Sequence, residues 1–300
     1  MKKYLTLDVG GSAIKYALIQ EDLTILHKDS VPTPLDTWEH FEDTVGKLYD
    51  QYANDIAGMA ISMPGAIDPD KGYSFTGGAL TYIQNIPTVE VLQKRCPTNI
   101  TIGNDAKCAA LAEVGFGSLK DVDDAVVIIL GTGIGGCLVH DRKVLMGKNF
   151  CAGEFSAIQT NIDSQNGLND FWCFRNGIAG LLKRVQEQLK TDKEYNGKEI
   201  FEMANNGNED VIKGIDLFAR DLAIQIFNLQ TIFDPEKVAI GGGISAQPLL
   251  IELIEKNLKD FMSGLSCFPT HLPNVVPCHY RNDANLIGAL YQHIQTFQQK

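Results

Sequence analysis

The chain has 300 residues, of which 44% are apolar, and a formal net charge of −11. That length suits one large domain or two of medium size, with apolar content enough for a full core. The acidic balance and the absence of a long basic run argue against a nucleic-acid or anionic-membrane surface, while leaving room for a small anionic ligand held by backbone amides. No apolar run reaches membrane-spanning length. The opening MKKYLTLDVGG carries two lysines and a short apolar run, but Asp8 and a glycine pair interrupt it. It reads as a strand and not as a signal peptide. The seven cysteines (96, 108, 137, 151, 173, 267 and 278) are odd in number and form no C-x-x-C. They read as reduced thiols of a cytoplasmic protein, without structural disulfides or a cysteine zinc site.

Three strands open the chain, at 4–9, 14–20 and 24–31, with glycines 10 and 11 in the first turn. Residues 37–52 show helical spacing, with Trp38, Phe41, Val45 and Leu48 on one stripe. The continuous apolar run 56–63 reads as a buried strand closed by Pro64-Gly65. A helix over 88–95, a strand over 98–103 and a helix over 106–117 follow, with Asn104 or Asp105 at the N-cap of the last. The pattern then restarts. Residues 124–147 are strand, glycine turn and strand, and a shift of 123 lays Leu5 on Ile128, Leu7 on Leu130 and Gly10 on Gly133. This faint self-similarity points to two related halves. Helices over 175–190 and 209–233, a strand into a glycine turn over 238–245, a helix over 248–262, a strand over 274–279 and a final helix over 283–297 complete an α/β pattern.

Three glycine turns follow buried strands: DVGGS (8–12), GTGIGG (131–136) and GGGIS (241–245). Glycine lets a ligand approach the backbone, and consecutive amides in such turns bind anions. Hairpin geometry alone would explain a single one of them. Three, two of them at matching places in duplicated halves, support phosphate binding. The Walker pattern is absent, and GTGIGG, although its letters fit G-x-G-x-x-G, is followed by a strand where a dinucleotide fold needs a helix, so the architecture is neither a P-loop nor a dinucleotide fold. Asp8, at the end of an apolar strand, is either a turn-forming acid or an acid facing phosphate-bound Mg²⁺ through water. Asp105 is either the cap of helix 106–117 or a general base for a phosphoryl acceptor. Asn104 is a cap or a substrate hydrogen-bonder. Glu154 stands among small and apolar residues in NFCAGEFSAIQ, where a buried acid is costly unless it is paired or functional.

At these residues the chain resembles the ROK family (repressors, open reading frames and sugar kinases). DVGGSAIKYAL, including Lys15, is similar to the family's first phosphate motif, and SMPGAID to its Gly-x-Pro-Gly segment. GNDAKCAALAE resembles the Asn-Asp motif, with Lys107 where a second Asn is usual. ILGTGIGGCLV resembles the second phosphate motif, AGE (152–154) the acidic sugar motif, and IGGGIS the adenosine-side motif. The resemblance implies the two-lobed actin-like ATPase (ribonuclease H-like) fold, with duplicated βββαβαβα halves and a central cleft for ATP and sugar. Residues 1–117 plus 283–300 would form the first lobe and 118–282 the second. Asp105 falls on the catalytic base, which deprotonates a sugar hydroxyl, usually at C6. Asn104 and Glu154 fall on sugar ligands, with Gly65, Gly78 and Asn85 nearby. Gly10, Gly11, Ser12, Thr132 and Gly133 would cradle phosphates, and Gly241, Gly242 and Gly243 would lie beside the adenosine.

Two departures stand out. Ala157 occupies the place of the family's sugar- and zinc-binding His, and the zinc cysteines have one counterpart, Cys173, in LNDFWCFRNG. A structural zinc site needs about four ligands, so no zinc site is expected. Trp172 stands near the place of the family's second sugar-contacting Glu. The reading is therefore an ATP- and Mg²⁺-dependent sugar kinase without zinc, acting on a hexose or hexoside and forming a homodimer. The missing groups would leave space at C1 or C2, as for a β-glucoside or N-acetylmannosamine. Unmodified glucose or fructose is the alternative substrate, and a non-catalytic sugar sensor the alternative of another class. A family repressor would need a helix-turn-helix segment before the first phosphate motif, where Asp8 already stands.

Overall fold

The structure is a computed structural model that describes residues 1–163, 165, 167–265 and 271–298; Cys267 lies outside them. The chain divides into two compact units. The first comprises Met1–Gly117, Met146–Cys151 and Asp283–Lys300, the second Ser118–Leu145 and Ala152–Asn282.

The first unit begins with β1 (Lys3–Val9), β2 (Ala13–Gln20), β3 (Ile25–Pro32) and α1 (Trp38–Asp50). It continues through β4 (Met59–Met63), β5 (Ile67–Asp68), β6 (Tyr73–Thr76), β7 (Gln84–Ile86), α2 (Thr88–Arg95), β8 (Ile100–Asn104) and α3 (Asp105–Phe116). The second contains β9 (Ala125–Leu130), β10 (Ile134–His140), β11 (Lys143–Val144), α4 (Trp172–Asn176), α5 (Ile178–Leu189), α6 (Gly197–Asn205), α7 (Glu209–Phe233), β12 (Lys237–Gly242), α8 (Pro248–Met262) and β13 (Val275–Pro277). The last helix, α9 (Ala284–Gln298), belongs to the first unit.

The two main sheets share one topology. Their orders are β3-β2-β1-β4-β8 and β11-β10-β9-β12-β13, with an antiparallel meander on one side and parallel strands on the other. The inferred duplication is therefore present, but its offset needs correction along the strand as well as at the turn: β1 ends at Val9 as β9 ends at Leu130, which lays Leu5 on Val126 and Leu7 on Ile128. Val9 stands opposite Ile14, whereas Leu130 stands opposite Ile134. The first turn is one residue longer, and Gly10 follows its strand as Gly131 does, not as Gly133 does. The composition of each strand follows from its place. Central β1 is buried nearly throughout, with Leu5 and Leu7 fully inaccessible; each such side chain contributes about 1.5–3 kcal/mol of burial. Edge strand β3 is exposed nearly throughout and carries His27, Lys28 and Asp29, which blunt edge pairing.

Three elements differ from the sequence expectation. The small sheet β5-β6-β7 was not anticipated, because strands of two to four residues are too short for a period to register. Helix α6 was missed, although Asn196 and Glu199 form a capping box at its start. The helix expected over 175–190 is two helices broken at Gly177, where a Cβ would lie 2.2 Å from the Thr132 carbonyl oxygen. No helix among the described residues is long and apolar enough to cross a membrane.

Helix α9 packs on α3, β1 and β4. Gly288 allows this close approach: a Cβ there would come within 1.6 Å of the Cys108 carbonyl oxygen. Gly288→Ala is expected to cost about 1–3 kcal/mol through overpacking, seen as a lower urea midpoint at an unchanged m-value. On the same helix, His293 is only 2% exposed, with Nδ1 3.0 Å from the Thr101 hydroxyl and its ring edge-on to Tyr4. Burial pushes the imidazole pKa down to about 4. The unfolded chain takes up this proton near pH 6.5, so the stabilising term is complete above that pH and is lost as pH falls toward 4. His293→Gln should flatten the stability profile between pH 6.5 and 4 by about 1–3 kcal/mol relative to the parent, measured by urea unfolding at each pH.

Candidate active site

In the first unit, register gathers polar groups at the ends of the parallel strands. Asp8 is paired with Lys15 on one side and Ser62 on the other. Its buried carboxylate accepts from Asn285 Nδ2 at 2.8 Å through Oδ1, with Ser62 Oγ at 3.5 Å, and its Oδ2 lies 3.4 Å from Lys15 Nζ. Beyond it the 10–12 turn is tied down by Thr33, whose hydroxyl donates to the Gly10 carbonyl at 2.7 Å and whose N–H donates to the Ser12 carbonyl. Gly11 and Ser12 remain exposed. Asn285 was missed by the sequence reading. It lies in the first turn of α9, far along the chain, and no local pattern sets it apart.

Strand β8 delivers Asn104 and Asp105 to the same edge. The structure decides which of them caps α3. Asn104 Oδ1 accepts from the Lys107 N–H at 3.2 Å, and Asn104 Nδ2 donates to the Gly65 carbonyl at 3.0 Å. Asp105 lies one residue inside the helix, with Oδ1 accepting from the Ala106 N–H at 2.8 Å. Gly65 has φ +105°, and a Cβ there would sit 2.0 Å from the Thr76 carbonyl oxygen, so no other residue fits. Thr76 Oγ1 in turn accepts from the Ala66 N–H at 3.0 Å. Gly78, also left-handed, lies against Pro64. Asn85 is exposed on β7, in the left-handed region that Asn tolerates.

In the second unit, the 131–133 turn and the 241–243 turn are neighbours. Gly242 pairs with Leu130, and with φ +94° it brings its Cα so close that a Cβ would lie 2.0 Å from the Leu130 carbonyl oxygen. Gly131 accepts from the Ile178 N–H at 3.0 Å, which seats the first turn on the start of α5. Ser245 Oγ closes the second turn onto the Gly242 carbonyl at 2.9 Å. Thr132, Gly133 and Gly241–Gly243 therefore lie at one end of one sheet, an arrangement of backbone amides suited to an anion.

The expectation of a buried Glu154 is corrected: this residue is exposed. Its apolar neighbours do the anchoring. The Phe155 ring packs on Gly136, where a Cβ would meet it at 2.0 Å, and lies 5.9 Å from the Trp172 ring. Gly153 lies against the Cys137 backbone, and Glu154 is left facing outward. Trp172 is fully buried, with Nε1 donating to Asn176 Oδ1 at 3.0 Å, so it packs the core rather than standing in for a site acid.

The pattern that defines the ROK family matches residues 4–295. The chain belongs to the ROK family. A β-glucoside kinase of Listeria innocua is 30% identical over 98% of both chains. An N-acetyl-D-glucosamine kinase of Vibrio atlanticus is 28% identical over 97% of this chain and all of its own. The crystal structure of a ROK family protein from Streptococcus pneumoniae, in complex with sucrose, superposes with a TM-score of 0.87 at 28% identity, over 99% of this chain and all of that one. The repeated five-strand topology is accordingly the actin-like ATPase fold of the ROK kinases.

At the family's departures, Ala157 is exposed at the end of a short 3₁₀ turn (Phe155–Ala157). Cys173 lies on α4 against Gly133. Among the described residues, the one group of three side chains with metal-ligating atoms close together is Asp124, His140 and Asp141. There His140 Nδ1 lies 2.7 Å from Asp124 Oδ1, and the hydrogen bond raises the imidazole pKa. An exposed ion pair accounts for it.

The double role of Asn104 gives a test. Asn104→Ala removes both the α3 cap and the donor to Gly65, and should cost about 1–2 kcal/mol in urea unfolding.

Proposed function

We propose that this ROK protein is an ATP-dependent sugar kinase that transfers the γ-phosphoryl group to a hexose or hexoside hydroxyl, at O6, with Asp105 as general base. The observation that carries the reading is the division of roles at 104–105. Asn104 already caps α3, so the cap does not require the Asp105 carboxylate. That carboxylate sits at the mouth of the helix, at the same strand-end edge as Asp8.

The groups present suit the reactants. Asp8 offers a hard oxygen donor braced by Asn285 and Lys15, appropriate to a divalent cation that prefers oxygen. Magnesium, held to Asp8 through water, would supply charge neutralisation on the phosphates. The amides of Gly11 and Ser12 and of Thr132 and Gly133 would hold phosphate oxygens, with Gly10, whose own N–H donates to the Ala13 carbonyl at 3.0 Å, closing the first turn; Lys15 would add charge, and Gly241–Gly243 would lie along the adenosine. Asn104 and Glu154 would hold sugar hydroxyls, with Gly65, Gly78 and Asn85 shaping the approach. Asp105 would take the acceptor's proton as the oxygen attacks phosphorus.

The substrate reading is a sugar substituted at C1 or C2. It is supported by Ala157 in the place of the family His and by similarity to kinases named for a β-glucoside and for N-acetyl-D-glucosamine. Unmodified glucose or fructose is the runner-up. The reading includes no zinc requirement, since one cysteine and no histidine follow Glu154 within 155–177. It also includes a cytoplasmic homodimer.

A coupled ADP-release assay at fixed MgATP, run across hexoses, amino sugars and β-glucosides, tests it. Sugar-dependent ADP release is expected, with substituted sugars ahead of glucose. No sugar-dependent release would overturn the kinase reading, and efficient use of unmodified glucose alone would overturn the substrate reading. Asp105→Asn, whose Oδ1 can still accept from Ala106, should lower kcat by about 10²–10⁴ with an unchanged urea midpoint. Unaltered turnover in this variant would remove Asp105 from the base role.

A further inference from the structure

The short segment Met146–Cys151 leaves the second unit and packs with the first. Its contacts there close a ring of interactions around Asn104 and Asp105. Asn104 donates to Gly65, and Gly65 lies against the Thr76 carbonyl. Phe75, next to Thr76, stacks on Phe150 of the segment with centroids 5.4 Å apart and planes at 23°. The Phe150 carbonyl accepts from Lys107 Nζ at 3.4 Å, and the Lys107 N–H returns to Asn104 Oδ1.

Three features of this ring exceed what packing alone requires. Lys107 is only 3% exposed, and burying an ammonium group is expensive unless its donors are used. Phe150 has φ +59°, a conformation that costs a bulky residue of order 1–3 kcal/mol and persists where surrounding contacts impose it. Phe75, by contrast, remains 36% exposed, with the Tyr73 ring edge-on to it at 5.0 Å. The ring thus holds a strained residue in place and presents aromatic surface next to the loop that carries Gly65 and Gly78.

We propose that Phe75 and Phe150, the latter held by Lys107, form a specificity-determining aromatic wall of the acceptor site, selecting sugars that carry a flat aromatic substituent. This rests on the sugar-kinase reading and names the substituent class it would favour. Ring–ring contact of this kind contributes beyond simple burial, and Lys107 acts as a positioning residue through the Phe150 carbonyl.

The test compares two matched pairs of acceptors at saturating MgATP: phenyl against methyl β-D-glucoside, and N-benzoyl- against N-acetyl-D-glucosamine. In at least one pair the aromatic acceptor should have the higher kcat/KM, by about two- to tenfold. That ratio should fall toward one in Phe75→Leu, in Phe150→Leu and in Lys107→Met. Lys107→Gln, whose amide can still donate to the Phe150 carbonyl, should retain part of it. Phe75 is partly exposed, so its variant remains informative if a change at Phe150 unfolds the protein. Calorimetric titration with the phenyl and methyl glucosides, without nucleotide, separates this proposal from the kinase reading. If no sugar is turned over but phenyl selectivity in binding is lost in the variants, the wall stands and the kinase reading fails. Turnover whose aromatic preference is absent, or is unchanged in Phe75→Leu and Phe150→Leu, overturns the wall.

Discussion

The parallel pairing of β1 with β4 and of β4 with β8 is the constraint on which the first unit's site depends. It sets Asp8 opposite Ser62, Ser62 opposite Gly103 and Met63 opposite Asn104. Three segments remote in sequence therefore end at one edge, where open α/β sheets bind ligands. The apolar bulk of these strands is the price of that alignment: strands buried on both faces fix register, and register fixes which polar residue emerges last. The second unit repeats the device with β9 and β12, and glycines replace the carboxylate at the strand ends.

Much of this was legible because the relevant signals are local. A continuous apolar run followed by glycine marks a central strand and its turn without any knowledge of the partner strand. Asn104-Asp105 between an apolar run and an alanine-rich helix identified the helix start, and the hydrogen bonds then assigned the cap to Asn104. What stayed hidden was mostly non-local. Asn285 meets Asp8 only because α9 packs back on β1 and β4, and the sequence around Asn285 differs little from any other helix start. The exposure of Glu154 was misread for a related reason. Its neighbours are apolar, but Phe155 and Gly153 use that character to bind the segment to β10, and the acid between them is turned outward. Composition in a short window reports how a segment is anchored, and only the backbone path reports which way one side chain points.

Lys107 shows how one exchange can be absorbed by a site. An Asn in this position could not span to the segment at 146–151. A lysine can, because its long stem packs in the interior while the amine reaches a carbonyl, here that of Phe150. The backbone N–H of the same residue is the one that Asn104 caps. One residue therefore ties the helix start through its main chain and the segment through its side chain. A buried cation of this kind contributes little net stability when its desolvation is counted, but it restricts the alternatives open to the chain. The left-handed Phe150 is the place where that restriction is visible. Relaxing it would require the Lys107 bond and the Phe75 stack to be given up together, and the second of these is the surface a substituted sugar would meet.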